Sequence, residues 1–316
     1  MPPKKRKPTI DLVIPVYNEA GVIEEIHKRI RSVVDKLRCD VHFLFIDDGS
    51  TDGTADSLRA IAGSDPRVTV LTLSRNFGHQ AALTAGIDHS TGDIVISMDG
   101  DGQHPPEMIP QMIDLVQQGY DIVQTQRVTE SRPSIIKRWT SDNFYRLINA
   151  ISGTHVVSGA ADFRAMSRQA VDALKAMPEY HRFLRGMISW MGYSSVILPY
   201  HQPQRVAGRS KYSLGKMFRL ASDAIFSFSL IPLYIGLSSG ILFFALAFVQ
   251  LTYVLVLWIT GQTERVVAGW SSLMGVLLIA SGIIMILLGF IGVYVGYIFQ
   301  EVKRRPVYLL KKGDEK

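Results

Sequence analysis

The sequence predicts an α/β fold, a mostly parallel sheet interleaved with helices, followed by two C-terminal transmembrane helices. Three observations carry this reading. Short apolar runs recur at intervals of about 25 to 30 residues and alternate with stretches of helical spacing, the pattern of stacked βαβ units. Each run ends in a cluster of small and polar residues. The last third of the chain holds two long segments without a single charged side chain.

Strands are expected from Ile10 to Val16, Val41 to Ile46, Val68 to Leu73, Ile94 to Met98, Ile122 to Thr125 and Ser195 to Tyr200. Between the first two, Val22, Ile26, Ile30, Val33, Val34 and Leu37 share one helical face. Helical pattern returns near Thr54, from His79 to His89, and after Pro105 and Pro106, where proline suits a first turn. An amphipathic helix is expected from Ile135 to Ile151, and others from Ser167 and from Glu179 to Met191. Ser158 to Arg164 reads either as backbone that approaches a ligand, bringing Asp162 with it, or as a tight turn.

In parallel sheets ligands bind outside the carboxyl ends of the strands. The clusters Tyr17 to Glu19, Asp47 to Asp52, Ser74 to Asn76 and Asp99 to Gln103 all follow strands and meet at that edge. In the last, Asp99 and Asp101 flank Gly100, while Gly102 and Pro105 prevent the strand from continuing. Two carboxylates so close repel unless a cation lies between them, and hard oxygen ligands suit Mg²⁺ or Mn²⁺. An isolated Asp-x-Asp is more often a solvated turn; four polar loops converging on one edge favour a metal site. Neither G-x-G-x-x-G after the first strand nor G-x-x-x-x-G-K-[ST] is present, so bound phosphates would need the metal ion.

The chain has 316 residues, 47% of them apolar, and a net charge of +6. Its single cysteine, Cys39, excludes an internal disulfide and a multi-cysteine zinc site. From Ala224 to Thr263, and again from Val266 to Gln300, there is no Asp, Glu, Lys or Arg, and each stretch exceeds the roughly 20 apolar residues that cross a bilayer. Arg205, Arg209, Lys211, Lys216 and Arg219 precede the first segment, and Lys303, Arg304, Arg305, Lys311 and Lys312 follow the second. Positive flanks mark the cytoplasmic side, and two crossings return the chain to it. The expected organisation is a basic tail over 1–8, a cytoplasmic domain over 9–212, an amphipathic juxtamembrane helix over 213–229, spans near 232–260 and 268–299, and a basic tail over 301–316. The location expected is the inner (plasma) membrane, with both termini cytoplasmic. Gly282, Gly289, Gly292 and Gly296 would allow close helix packing and a homo-oligomer. No nucleic-acid module accompanies the charge, which leaves lipid phosphates and anionic substrates as partners.

Four motifs together carry a family resemblance: V-I-P-V-Y-N-E at 13–19, I-D-D-G-S-T-D-G-T at 46–54, S-R-N-F-G-H at 74–79 and M-D-G-D-G-Q-H-P-P at 98–106. With them the chain resembles the family 2 glycosyltransferases of GT-A (Rossmann-like) fold. D-F-R at 162–164, G-R-S-K-Y at 208–212 and the two apolar segments are similar to the polyprenyl-phosphate branch, nearest the bactoprenol glucosyltransferases, with dolichol-phosphate mannose synthases as relatives. The resemblance implies a nucleotide-sugar donor, UDP-glucose first, a polyprenyl phosphate acceptor and a Mg²⁺ or Mn²⁺ cofactor. It implies that Pro15, Tyr17, Glu19 and Asp48 hold base and ribose with Asp99 nearby, that Asp101 meets metal and pyrophosphate, and that Gln103 lies by sugar and acceptor. Arg127, Arg164, Arg209 and Lys211 are candidates for the acceptor phosphate. The mannose synthases carry serine-glycine where this chain has Ala161 and Asp162, so the role of Asp162 stays open between positioning sugar or arginines and acting as a general base. A processive polysaccharide synthase is the rival within the family. Its Q-x-x-R-W is missing, since Ile135 stands where Arg138-Trp139 would need glutamine. An inactive nucleotide-binding scaffold and a flippase-like carrier are the rivals outside it.

Overall fold

The computed structural model describes residues 7–128, 160–201, 231–261 and 269–311. The chain forms two compact units, one of Met1–Phe218 with Arg305–Lys316 and one of Arg219–Arg304.

In the first unit the expected alternation is present. β1 (Thr9–Val16), α1 (Ile23–Val34), β2 (Asp40–Asp47), α2 (Thr54–Ser64), β3 (Val68–Thr72), α3 (His79–His89) and β4 (Ile94–Ser97) follow one another. A 3₁₀ turn (Pro106–Met108) leads into α4 (Ile109–Gln117), followed by β5 (Ile122–Val128). Then come β6 (Ala160–Ser167), α5 (Arg168–Lys175), α6 (Leu184–Trp190) and β7 (Ser195–His201). The strands make one sheet in the order β3-β2-β1-β4-β6-β5-β7. β3, β2, β1 and β4 are mutually parallel; β6 runs antiparallel to both β4 and β5, and β5 and β7 are parallel. The chain steps outward from β1 to β2 and β3, then returns to place β4 on the other side of β1. Strand order reverses between β1 and β4, and in such sheets the ligand edge lies at the loops that follow those two strands.

Burial follows the apolar pattern. Ile10, Leu12, Ile14, Phe43, Phe45 and Ile96 are fully buried, and α1 covers them with Ile23, Ile26, Ile30 and Val34. Each such side chain is worth about 1.5–3 kcal/mol when removed from water. The one carboxylate inside β1 is satisfied: Asp11 accepts the Thr91 and Gly92 N–H groups at 2.6 and 2.7 Å. Ser158 to Arg164, read above as a ligand-side loop or a turn, is instead the start of β6 from Ala160 onward. Its neighbours' side chains, Ser97 and Thr125, donate to the Asp162 and Phe163 carbonyls at 2.6 Å each, so local small residues yielded to sheet pairing. Ser167 caps α5 by accepting the Ala170 N–H. The helix expected from Glu179 begins only at Leu184. The expected helices over 135–151 and 213–229 lie outside the described residues.

The C-terminal segment pairs with the sheet edge. Leu310 bridges Leu73 antiparallel, the Ser74 N–H donates to the Leu309 carbonyl at 2.8 Å, and the Lys311 N–H donates to the Thr72 carbonyl at 2.7 Å. The Tyr308 hydroxyl reaches Asp88 at 3.3 Å.

The second unit holds α7 (Ile231–Ile259) and α8 (Trp270–Lys303). They touch at Gly236, where an added Cβ would collide with Leu287. Phe244, Trp258 and Met285 are each at least 70% exposed, which in water would be a large apolar surface. Two transmembrane helices were expected. Among the described residues one helix, Ile279–Lys303, is long and apolar enough to cross a membrane, and a shorter apolar helix, Gly236–Leu246, lies within α7. Around Gly282, Gly289, Gly292 and Gly296 an added Cβ would meet nothing within 4 Å.

Behind α1, buried Asp65 accepts from Arg67 Nε at 3.0 Å and Nη2 at 2.9 Å, and Arg31 lies 3.8 Å away. Arg67 holds the Asp65 carboxyl down at about 2, against an ordinary 3.8. A depressed folded pKa gives stability that is present above the unfolded value and lost as pH falls through the folded one. Asp65→Asn is therefore expected to lower stability at pH 7 by about 1–2 kcal/mol and to flatten the loss of stability between pH 4 and 2. Thermal unfolding of both proteins across that range checks it.

Candidate active site

At the ends of β1 and β4 the loops are laced together by backbone groups. Pro15, buried at the end of β1, accepts the Gly100 N–H at 3.3 Å, and Val16 accepts the Asp48 N–H at 2.9 Å. Asn18 stands at φ 55, donates its N–H to Ser50 Oγ and accepts the Thr51 N–H on Oδ1, both at 2.9 Å. The Glu19 N–H donates to Thr54 Oγ1 at 2.9 Å. Tyr17 is 40% exposed beside them. Asp48, expected to hold base or ribose, is only 3% exposed. It accepts the Phe77 and Gly78 N–H groups at 2.7 and 2.9 Å, and burial pushes its pKa up. Its place is beneath the site, joining the loops after β2 and β3. Gly49 makes that approach possible: at φ 68, an added Cβ would lie 2.5 Å from the Arg75 carbonyl carbon.

The acidic loop after β4 is closed by the two residues that follow the carboxylates. Asp101 accepts the Gln103 N–H on Oδ1 at 3.0 Å and the Gln103 side-chain amide on Oδ2. The Asp99 N–H donates to Nδ1 of His104 at 2.9 Å. Gln103, expected by the sugar, is thus at least in part a clamp on Asp101.

Asp162 lies across the crevice on β6, 7% exposed. Arg164 donates to it from Nη2 at 2.6 Å, and Arg185 makes two parallel bonds from Nε and Nη2 at 2.9 Å each. His79, the first residue of α3, places Nε2 3.5 Å from both Asp162 Oδ2 and Asp99 Oδ1. Burial alone would raise the Asp162 pKa; Arg185, His79 and Arg164 outweigh it and hold the carboxyl well below its usual range. Burial likewise opposes the charge on His79, yet Asp162 and Asp99 hold that imidazole up at about 9. Arg164, expected on the acceptor phosphate, is 1% exposed, with Nε and Nη1 buried and unbonded among the described residues. It lies under Asp162 instead, because its position on a central strand points it into the sheet's packing. Arg127 is exposed near the end of β5, opposite Tyr200 on β7. Burial raises the Tyr200 hydroxyl to about 12, with Arg127, Asp99 and Asp101 all close enough to bear on it. Arg209 and Lys211 lie outside the described residues.

Among the described residues no cluster of three or more His, Cys, Asp or Glu could cage a metal. The acidic loop nevertheless fits a hard divalent ion, since such ions use one or two carboxylates and complete their shell with phosphates and water. Asp99 Oδ1 is buried with no hydrogen-bond partner and lies 3.5 Å from His79 Nε2, an oxygen whose charge suits a cation. Asp99 and Asp101 are the residues that would hold it.

Sequence reasoning assigned no role to His79, His104 or Arg185. The two histidines could have been found, since each stands within or next to a loop at the binding edge. Nothing local marks Arg185, which reaches Asp162 only through the fold.

The chain is similar to known proteins over most of its length. The family model for glycosyl transferase family 2 matches residues 11–175. A prophage bactoprenol glucosyl transferase homolog of Escherichia coli (strain K12) is 39% identical over 304 residues, 96% of this chain and 98% of that one. The uncharacterized glycosyltransferase YkcC of Bacillus subtilis (strain 168) is 38% identical over 302 residues, 96% of this chain and 93% of its own. Among solved structures, mannosyl-3-phosphoglycerate synthase from Rubrobacter xylanophilus is 17% identical with a TM-score of 0.48, covering 69% of this chain and 72% of that one.

Removing the Asp162 charge leaves Arg164 buried without a counterion. Asp162→Ala is expected to cost about 3–5 kcal/mol of stability, with part of the loss recovered when Arg164→Met is added. Unfolding of the single and double variants in detergent measures the difference.

Proposed function

The chain belongs to glycosyl transferase family 2, and from that premise we propose that it transfers glucose from UDP-glucose to polyprenyl phosphate at the cytoplasmic face of the plasma membrane, with inversion at the anomeric carbon. One observation carries the reading: a crevice that pairs carboxylates suited to a cation, Asp99 and Asp101, with arginines suited to an anion, Arg127 and Arg185. The near full-length similarity to proteins named bactoprenol glucosyl transferases supports the lipid acceptor.

A divalent ion, when bound on Asp99 and Asp101, supplies positive charge to the departing diphosphate. The chain's own residues do the rest. Pro15, Tyr17 and Glu19 border the nucleotide, while Asp48 keeps their supporting loops together. Gln103 holds Asp101 in place. The acceptor is a phosphate monoester, whose second pKa of about 6 leaves it largely dianionic at neutral pH, so attack needs no general base. A carboxylate held as low as Asp162 would be a poor base in any event. Asp162 therefore positions: it fixes Arg185 by two bonds, with Arg164 beneath neutralising it, so that a guanidinium is held at the crevice on the acceptor's side. Arg127, Arg209 and Lys211 add cations for the same phosphate. Attack opposite the leaving group turns an α-linked donor into a β-linked product.

A polyprenyl tail stays in the bilayer, so the enzyme must work at its surface. We read α7 and α8 as two crossings. Residues 309–311 pair with the β3 edge of the catalytic unit, which supports an even number of crossings between them. If α8 spans, α7, 29 residues long, spans as well.

Membranes given labelled UDP-glucose, UDP-galactose or GDP-mannose with polyprenyl phosphate should label lipid from UDP-glucose; transfer from either other donor instead would reassign the sugar. A β-configured product is expected by NMR, and an α product refutes in-line inversion. Asp101→Asn should lower kcat/KM by about 100-fold or more. In a Cys39→Ser background, Thr263→Cys should react with an impermeant maleimide on intact cells. Labelling only after permeabilisation would contradict two crossings.

A further inference from the structure

The acidic loop contains one side chain that grips Asp99 and that the proposed reaction has not used. His104 is 5% exposed. Its Nδ1 accepts the Asp99 N–H at 2.9 Å, so that nitrogen carries no proton and the ring's hydrogen sits on Nε2. Nε2 in turn lies 3.6 Å from Asp99 Oδ2, so the ring addresses both the backbone and the carboxylate of one residue. The ring cannot turn away. It stacks on Phe163 at 5.1 Å between centroids and 15° between planes, and meets Tyr200 edge-on at 6.2 Å. Phe163 is itself fully buried and lies between Asp162 and Arg164 on β6. The imidazole is thus fixed to the strand that carries Asp162 and, through its nitrogens, fixes the loop that carries Asp99.

Three consequences follow from that placement. Asp99 Oδ1 has no hydrogen-bond partner and lies 3.5 Å from His79 Nε2, while Oδ2 faces the His104 imidazole, so the two oxygens meet different rings. The loop's two carboxylates have separate keepers, Gln103 for Asp101 and His104 for Asp99. Asp99 and Asp162, on opposite sides of the crevice, share a spacing set by the stacked His104–Phe163 pair.

We propose that His104 is the positioning residue of Asp99, its Nδ1 holding the Asp99 N–H so that the Asp99 carboxylate is set for a divalent cation bound with the nucleotide. The inference rests on the reading of Asp99 and Asp101 as cation ligands. Residues that orient ligands in this way control affinity for the ion as well as turnover.

The test measures Mn²⁺ binding by electron paramagnetic resonance on the full chain in detergent, with UDP present and no acceptor. His104→Asn keeps an acceptor oxygen where Nδ1 lies; His104→Leu fills similar space without one. Both lose the stacking on Phe163, so their thermal midpoints should fall by similar amounts. The leucine variant is expected to bind Mn²⁺ about tenfold more weakly than wild type, with the asparagine variant recovering most of that loss. Equal weakening in both variants, or wild-type affinity in the leucine variant, overturns the proposal. Failure of the wild-type chain to bind Mn²⁺ with UDP would instead sink the assignment of Asp99 and Asp101, which separates the two outcomes.

Discussion

The site depends on one buried carboxylate kept charged. Taking Asp162 out of water costs several kcal/mol, and the cost is offset only because Arg164, Arg185 and His79 surround it with donors. Its backbone is equally constrained, with Ser97 bonded to its carbonyl from β4 and Thr125 bonded to the next carbonyl from β5. A charge seated on a strand between two others moves little. Every other group in the crevice can be located relative to it: Asp99 through His79, Arg185 directly, and the acidic loop through the stack of His104 on Phe163.

Sheet order explains why these groups meet. Placing β4 beside β1, opposite to β2, opens a gap between the loops that follow them, and the antiparallel β6 brings Asp162 back toward that gap. The loops hold one another by main-chain bonds, such as Gly100 to Pro15 and Asp48 to Val16. Side chains that a motif would assign to ligands are partly consumed in this lacing. Asp48 is the clearest case, since both its oxygens are taken by amides.

The pairing of Leu310 with Leu73 closes the chain on itself. It adds one antiparallel bridge to an edge that would otherwise expose unpaired amides, and it ties the segment after α8 to the loop that begins at Ser74. That loop supplies the amides of Phe77 and Gly78 that hold Asp48. The stretch following the last apolar helix thus supports the loop whose amides hold Asp48, through residues of one compact unit.

What the sequence determined by itself were the local features. Alternating apolar runs and helical spacing located the strands β1 to β5 and β7 and the helix His79–His89, because burial on both faces demands an apolar run and a helix face demands a 3.6-residue period. The Asp-x-Asp after an apolar run could be read in the same way, while the family was legible only as a resemblance carried by four motifs. The tertiary structure alone decided what the charges do. Ser158 to Arg164 read as a ligand-side loop or a tight turn because its first residues are small, yet from Ala160 the chain is a central strand because β4 and β5 offered it two sets of hydrogen-bonding partners. Arg164 and Asp48 looked like ligand contacts and turned inward; Arg185, remote in sequence and unmarked by any motif, arrived beside Asp162. Spacing records which residues share a face, but the partner that neutralises a buried charge comes from wherever packing brings the chain, and that depends on the whole sheet.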